Sequence, residues 1–306
     1  MIVLLCFIIF RFSLSNMSSL WSSASSGNGS NGFFSQIMYA EKAFNSEAAQ
    51  QWSESAKSIS LWLSASYVVL IFTGQQLMRS RSPFKLQTSL FLWNLVLSLF
   101  SIVGAFRTVP ELYSGLVDFG WTYTVCDPSF HTGSTGLWSF AFTVSKVYEL
   151  GDTLFVVLRR QPLIFLHWYH HITVMIYCFY SYPAHVGSAR WYIVMNYFIH
   201  SIMYTYYALR AAHFRMPSLV RMSVTSLQIV QMVIGLVVTI SVLVIKHNGG
   251  DCHQTYSNAA AAVLMYGSYF VLFIHFFYQQ YARPPRKKSP EDKKSDFSVE
   301  EVKKLH

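Results

Sequence analysis

Three observations make this sequence read as an all-α polytopic membrane protein with seven transmembrane helices. Apolar and aromatic residues are 53% of its 306 residues and charged residues only 12%, about half the charged share of a soluble domain. Mean hydropathy is positive, at +0.32. Six or seven stretches reach the ~20 apolar residues that cross a ~30 Å hydrocarbon core, and basic residues gather in every second connection between them, as orientation in a membrane requires.

The stretches lie at about 58–78, 86–107, 136–158, 162–183, 190–212, 219–246 and 257–281. Backbone inside lipid must satisfy its own hydrogen bonds, and the alternation of an outer-membrane barrel is absent, so these are helices. Arg79, Arg81 and Lys85 follow the first, Arg159 and Arg160 the third, and Arg210, Arg215 and Arg221 the fifth. With the tail beyond Tyr281, sixteen of the 23 basic residues share one side. The opposite connections carry only Arg107, Arg190 and Lys246 near their ends. The tail is therefore expected in the cytosol and the N-terminus outside it, which demands an odd number of spans: seven. The chain divides into a partly flexible lumenal segment at 1–57, a seven-helix catalytic domain at 58–281 and a basic cytosolic tail at 282–306. Soluble, disordered and collagen-like classes are excluded. The net charge of +9, gathered at one membrane face, points to no nucleic acid.

Local signals fit that orientation. The chain ends Lys303-Lys304-Leu305-His306, the form of a dilysine signal that keeps multi-pass proteins in the endoplasmic reticulum membrane and works only from the cytosol. Four cysteines exclude a disulfide scaffold. Cys126 and Cys252 fall in two connections assigned to the lumen, where an oxidising medium lets them bridge, whereas Cys178 inside a span reads as packing. Asn16-Met17-Ser18 and Asn28-Gly29-Ser30 are glycosylation sequons on the same side. Residues 2–10 are apolar but too short to span, leaving a signal-like segment or a start at Met17 as alternatives.

The informative residues are those a spanning helix should lack. Ionisable groups at depth cost roughly 2.5–3.5 kcal/mol each and mark cavities or reaction sites. The third span holds Lys146, Glu149, Asp152 and Thr153, whose spacing puts them on one helical face. Lys146 and Glu149 can pair, which leaves Asp152 to find a partner on another helix. The fourth opens with His167, His170 and His171, about 6–12 Å deep at 1.5 Å per residue. Three imidazoles on one apolar face can ligate a metal or serve as nucleophile, base and orienter. The fifth places His200, Met203, Tyr204 and Tyr207 on one face, with Tyr206 beside them, although tyrosines at that spacing are more often packing. The sixth carries Thr225, Gln228 and Gln231, which can equally be interhelical glue. Nucleotide-binding glycine loops and the GxSxG elbow are missing. The other histidines (His131, His185, His213, His247, His253, His275 and His306) are scattered, mostly in connections or near span ends, and read as structural or solvated.

These four constellations, in this order, resemble the very-long-chain fatty acid elongases of the endoplasmic reticulum, the 3-oxoacyl-CoA synthases. KxxExxDT corresponds to Lys146, Glu149, Asp152 and Thr153, and HxxHH to His167, His170 and His171. HxxMYxYY corresponds to His200, Met203, Tyr204, Tyr206 and Tyr207, and TxxQxxQ to Thr225, Gln228 and Gln231. The likeness covers about residues 50–285. HWYHH followed by Ile172-Thr173-Val174 looks more like the branch acting on saturated and monounsaturated chains.

The resemblance implies that long-chain acyl-CoA condenses with malonyl-CoA to give 3-oxoacyl-CoA, CO2 and CoA, the first step of the elongation cycle, with no cofactor and no resident metal. The helices would enclose a tunnel for the acyl tail, with Arg159, Arg160, Arg210 and Arg215 meeting phosphates at its cytosolic mouth. His170 would carry the acyl group, with His200 the alternative nucleophile. His167 and His171 would orient them, Glu149 and Asp152 would hold imidazoles in place, and Gln228 and Gln231 would face a developing oxyanion. Tyr204 and Tyr207 would line the substrate. Partners implied are the bilayer, the reductases and dehydratase of the cycle, and other subunits in a homo- or hetero-oligomer. Two other classes compete: a di-iron membrane desaturase or hydroxylase, which needs about eight histidine ligands in several clusters, and a seven-helix receptor or transporter, which needs no HxxHH cluster.

Overall fold

Asn45 starts the first long helix by accepting a hydrogen bond from the Ala48 N–H at 3.0 Å, the usual role of an N-cap asparagine. The computed structural model describes residues 41–282; the sequons at Asn16 and Asn28 and the pair Lys303-Lys304 lie outside the described residues. Helix α1, Ser46–Met78, buries Ala49, Ser53, Ala56, Ser60, Leu63, Tyr67 and Ile71 along one stripe, the three-to-four spacing of an amphipathic helix. It begins a dozen residues before the expected 58. Residues 46–57 read as polar because their solvent face is polar, while small residues on the other face pack.

Helix α2, Gln87–Ser114, runs through a wide turn at Gly115–Phe119 into α3, Gly120–Cys126. Gly120 takes φ +82° there, a conformation glycine adopts without strain. The second apolar segment therefore continues to Cys126 instead of stopping near 107. Arg107 and Glu111 do not end it because both are paired across the bundle: Arg107 Nε lies 3.0 Å from Glu41, and Glu111 lies 3.1 Å from the Nε of buried Arg190. The third expected span is two helices, α4 at Gly133–Glu149 and α5 at Gly151–Leu158, meeting at Leu150. Then follow α6, Phe165–Ser181; α7, Ala189–Ala211; α8, Ser218–His247; and α9, Tyr256–Phe277. Among the described residues there is no β-strand.

Four segments are long and apolar enough to cross a membrane: Ser46–Met78, Gln87–Cys126, Ser218–His247 and Tyr256–Ala282. The other three, α4–α5, α6 and α7, carry Glu149, Asp152, His167, His170, His171 and His200 and turn them inward. Helix α7 lies along α2, α9 along α8 and α6 along α1. Large apolar side chains such as Trp62, Phe106 and Leu264 are about three-quarters exposed around the rim, the expected surface of a protein bathed in lipid. At one end a Cys126–Cys252 disulfide ties α3 to the α8–α9 connection. There the His253 N–H donates to the Cys126 carbonyl at 3.0 Å and the Gly187 N–H to the His253 carbonyl at 2.9 Å, so three connections are pinned together.

Candidate active site

Lys146 is the most deeply buried cation of α4, at 1% exposure, and every one of its neighbours has a reason to be there. Its Nζ donates to Glu149 Oε1 at 2.6 Å and to Asn196 Oδ1 at 2.9 Å, and it lies 4.1 Å from the Phe142 ring centroid. The Ser145 hydroxyl donates to the same Glu149 oxygen at 3.1 Å. A buried ion pair depends on such partners, and here only Glu149 Oε2 is left without one among the described residues. Although the helix is interrupted at Leu150, Glu149 and Asp152 both line one cavity, while Lys146 and Thr153 stand behind it.

Asp152 finds its partners on two other helices. The Trp93 indole N–H of α2 donates to Oδ1 at 2.6 Å, and the Tyr204 hydroxyl of α7 donates to Oδ2 at 2.8 Å. Gly151 lets the indole come this close, since a Cβ there would run into the Trp93 ring. Thr153 links the Tyr67 hydroxyl, at 2.6 Å, to His167 Nε2, at 2.9 Å, so α1 and α5 together orient the first histidine of α6.

His167, His170 and His171 all line the same cavity. The His171 ring packs 4.6 Å from that of His167 and 5.7 Å from that of His170. The His170 ring rests 4.8 Å from Tyr269, and among the described residues its nitrogens make no hydrogen bond to protein. His200, opposite on α7, is held differently. Lys146 has only donors, so it fixes the Asn196 carbonyl oxygen towards itself and turns the Asn196 amide N–H groups towards His200 Nε2, at 3.1 Å. Nε2 is then an acceptor, and the imidazole proton sits on Nδ1, which faces Glu149 Oε1 at 3.9 Å. This tautomer is assigned from the hydrogen-bond network.

The cavity measures about 600 Å³, within the range of small-molecule sites. Met203, Tyr204, Tyr206 and Tyr207 of α7 and Thr225, Gln228 and Gln231 of α8 complete its walls. Gln228 donates to the Met203 sulfur at 3.2 Å, and the Thr225 hydroxyl lies 3.3 Å from that of Tyr281. Arg159, Arg210 and Arg221 line it too, Arg159 3.5 Å from Gln87 and Arg221 with its guanidinium 5.7 Å from the Tyr281 ring centroid. Arg160 and Arg215 do not. Arg160 adopts φ +53°, which swings its side chain to the Arg81 carbonyl at 3.1 Å.

A second, narrow cavity of about 50 Å³ shares His170, Asn196, Gln231 and Met232 with the first and follows α6 past Val174 and Tyr177 to Tyr182 and His131. His131 stacks on His185 with ring centroids 4.4 Å apart. Burial first, then the neighbouring His185, hold the His131 imidazole well below the usual histidine pKa, and burial also lowers His185.

The sequence reading missed Asn196, Trp93, Tyr67 and Arg221. Asn196 sits one helical turn before His200, a spacing that could have marked it; nothing local marks Trp93 or Tyr67. Among the described residues no group of three His, Cys, Asp or Glu side chains converges as metal ligands do.

Residues 52–289 match the family model described as ELO: GNS1/SUR4 family. The chain is 44% identical to a Drosophila melanogaster protein named very long chain fatty acid elongase 6, over 84% of this chain and 82% of that one. Its Gallus gallus namesake is 47% identical over 79% of this chain and 91% of its own. A Caenorhabditis elegans protein named putative fatty acid elongase 3 is 43% identical over 82% and 79% respectively.

Proposed function

The chain belongs to the ELO: GNS1/SUR4 family and is a very-long-chain fatty acid elongase; from that premise we propose that His170 carries the acyl group through the condensation of acyl-CoA with malonyl-CoA. One observation carries the reading. Side chains from α4 to α8 meet around a single cavity, with His170 presenting unbonded ring nitrogens to it and His200 held by Asn196.

A His170 nitrogen attacks the thioester carbonyl, the C–S bond breaks, and CoA leaves as the thiolate, which takes up a proton. The acyl group remains as an acyl-imidazole, an activated form well suited to transfer. Malonyl-CoA then loses CO2. The resulting enolate attacks the acyl carbon, the C–N bond breaks, and 3-oxoacyl-CoA, two carbons longer, departs with His170 regenerated. Gln231 and Gln228 are the donors placed for the developing oxyanion, while the apolar walls shield the enolate from water. Glu149 and Asp152, each bonded to neighbouring side chains, fix the charges around the imidazoles. Tyr204 and Tyr207 border the acyl group. Arg159, Arg210 and Arg221 line the wide part of the cavity and suit the phosphates of CoA.

All seven helical segments cross the membrane in this reading, with the narrow cavity continuing the wide one as an acyl tunnel. The arginine-lined mouth faces the cytosol and the disulfide end faces the lumen of the endoplasmic reticulum. Saturated and monounsaturated chains are the substrates, and the reductases and dehydratase of the cycle take the product onward. Membranes expressing the chain, supplied with hexadecanoyl-CoA and radiolabelled malonyl-CoA, should form labelled acyl products two carbons longer. Labelling no higher than in control membranes would refute the assignment.

A further inference from the structure

The narrow cavity ends on hydrogen-bonding groups that the condensation does not use. His131 and Tyr182 line this end at 2% and 3% exposure. Among the described residues, neither ring nitrogen of His131 nor the hydroxyl of Tyr182 meets full hydrogen-bond geometry, the backbone of Val186 lying near His131. Buried polar groups are nearly always satisfied, so a pair left open in one pocket calls for an explanation. Stacking on His185 at 4.4 Å and the edge of Tyr182 at 5.5 Å hold the His131 ring in place.

Three polar groups along this cavity are already committed. The Tyr177 hydroxyl donates to Asn258 at 3.0 Å, Ser181 accepts from Asn258 at 2.8 Å, and Tyr192 pairs with Thr239 at 2.6 Å. Phe142, Val174, Met232 and Met265 make the remaining wall apolar. The buried pair left open lies at the far end, about 18 Å from His170 along α6 at 1.5 Å per residue. An extended hydrocarbon advances about 1.3 Å per carbon, from a C–C bond of about 1.5 Å at the tetrahedral angle. The span therefore matches the extended length of about fourteen carbons, close to a long-chain acyl group attached at His170, although the cavity of about 50 Å³ has to widen to admit one.

We propose that this end is a subsite for an oxygen-bearing acyl terminus, so that the protein accepts ω-hydroxyacyl thioesters. The terminal hydroxyl donates to a His131 ring nitrogen and accepts from the Tyr182 hydroxyl. A methyl terminus of the same length leaves both groups unpaired, which is how a buried polar site discriminates against a ligand lacking the matching group. This inference rests on the acyl group being held at His170.

The test supplies membranes expressing the full chain with radiolabelled malonyl-CoA and matched C14 and C16 thioesters, ending in methyl or in an ω-hydroxyl. At the better-fitting length kcat/KM should favour the hydroxyl by about tenfold, the worth of one net hydrogen bond. Tyr182→Phe and His131→Phe should each draw the ratio towards one. The ratio between two substrates in the same membranes does not move when a variant merely folds less well. Parity or a preference for methyl in the unaltered protein overturns the inference, as does a ratio unchanged in Tyr182→Phe. Turnover of neither series overturns the elongase reading and this one with it, whereas turnover of the methyl series alone overturns only this one.

Discussion

The carboxamide of Asn196 stands between Lys146 and His200, accepting from the one at 2.9 Å and donating to the other at 3.1 Å. A cation behind the cavity thereby decides which nitrogen of a histidine inside it carries the proton. His200 is left with Nε2 engaged and its Nδ1 proton facing Glu149, while His170 keeps nitrogens open to the cavity, as does His171, whose buried Nδ1 has no partner among the described residues. Asn196→Asp forces a proton onto Nε2, and Asn196→Leu removes both bonds. Each should lower kcat by on the order of 10²-fold, the scale of a misplaced acid–base group, with KM changed only a few-fold. Steady-state kinetics in membranes checks this; an Asn196→Leu protein with ordinary kcat would contradict it.

Lys146 and Glu149 stabilise each other only as a pair. Lys146→Met leaves a buried carboxylate without its cation, a loss of about 3–5 kcal/mol, so little folded protein should accumulate. Adding Glu149→Gln removes the stranded charge and should restore accumulation, though not activity. Size-exclusion profiles of detergent extracts distinguish these outcomes; a Lys146→Met protein as abundant as the parent would count against the pairing.

Asp152 depends on Trp93, and Trp93 depends on Gly151. Trp93→Phe deletes a hydrogen bond to a carboxylate, worth about 1.5–3 kcal/mol. Gly151→Ala should do similar damage by pushing the indole away, and combining the two should cost less than the sum, with a coupling of about 0.5–3 kcal/mol. Melting curves of the purified variants measure the coupling, and strict additivity would show that Gly151 acts elsewhere.

Acid should loosen the disulfide end. The unfolded chain takes up a proton on histidine near pH 6.5, whereas burial, His185, Arg190 and His253 keep His131 neutral in the fold, and burial followed by His253 lowers His185. The unfolded state therefore binds more protons below about pH 6.5, and stability falls as pH drops through that value. The apparent melting temperature should decline from about pH 6.5 downward, and less steeply in His131→Gln. A melting temperature that holds or rises on acidification would contradict the buried neutral pair.

Most of the site could be read from the chain because a spanning helix makes ionisable residues conspicuous. Lys146, Asp152, His170 and His200 stand out against leucine and phenylalanine, and helical spacing groups them by face. The supports were invisible for the same reason. Trp93 and Tyr67 look like any membrane aromatic, and their roles arise from contacts with Asp152 and Thr153 on helices distant in sequence. Helix limits were misplaced where charge was taken as an end signal: Arg107 and Glu111 continue α2 because Glu41 and Arg190 neutralise them. At 46–57 the polar face hid a packed stripe of alanine and serine. Arg160 was grouped with Arg159 as its neighbour, yet a left-handed backbone sends the two side chains apart.

The most direct measurement is the mass of the His170 peptide after incubation of purified protein with hexadecanoyl-CoA and no malonyl-CoA. The acyl mass should sit on that peptide, persist in His200→Ala, vanish in His170→Ala, and be lost when malonyl-CoA is added. An acyl mass that disappears in His200→Ala yet remains in His170→Ala would make His200 the nucleophile, in contradiction to the tautomer that Lys146 and Asn196 impose.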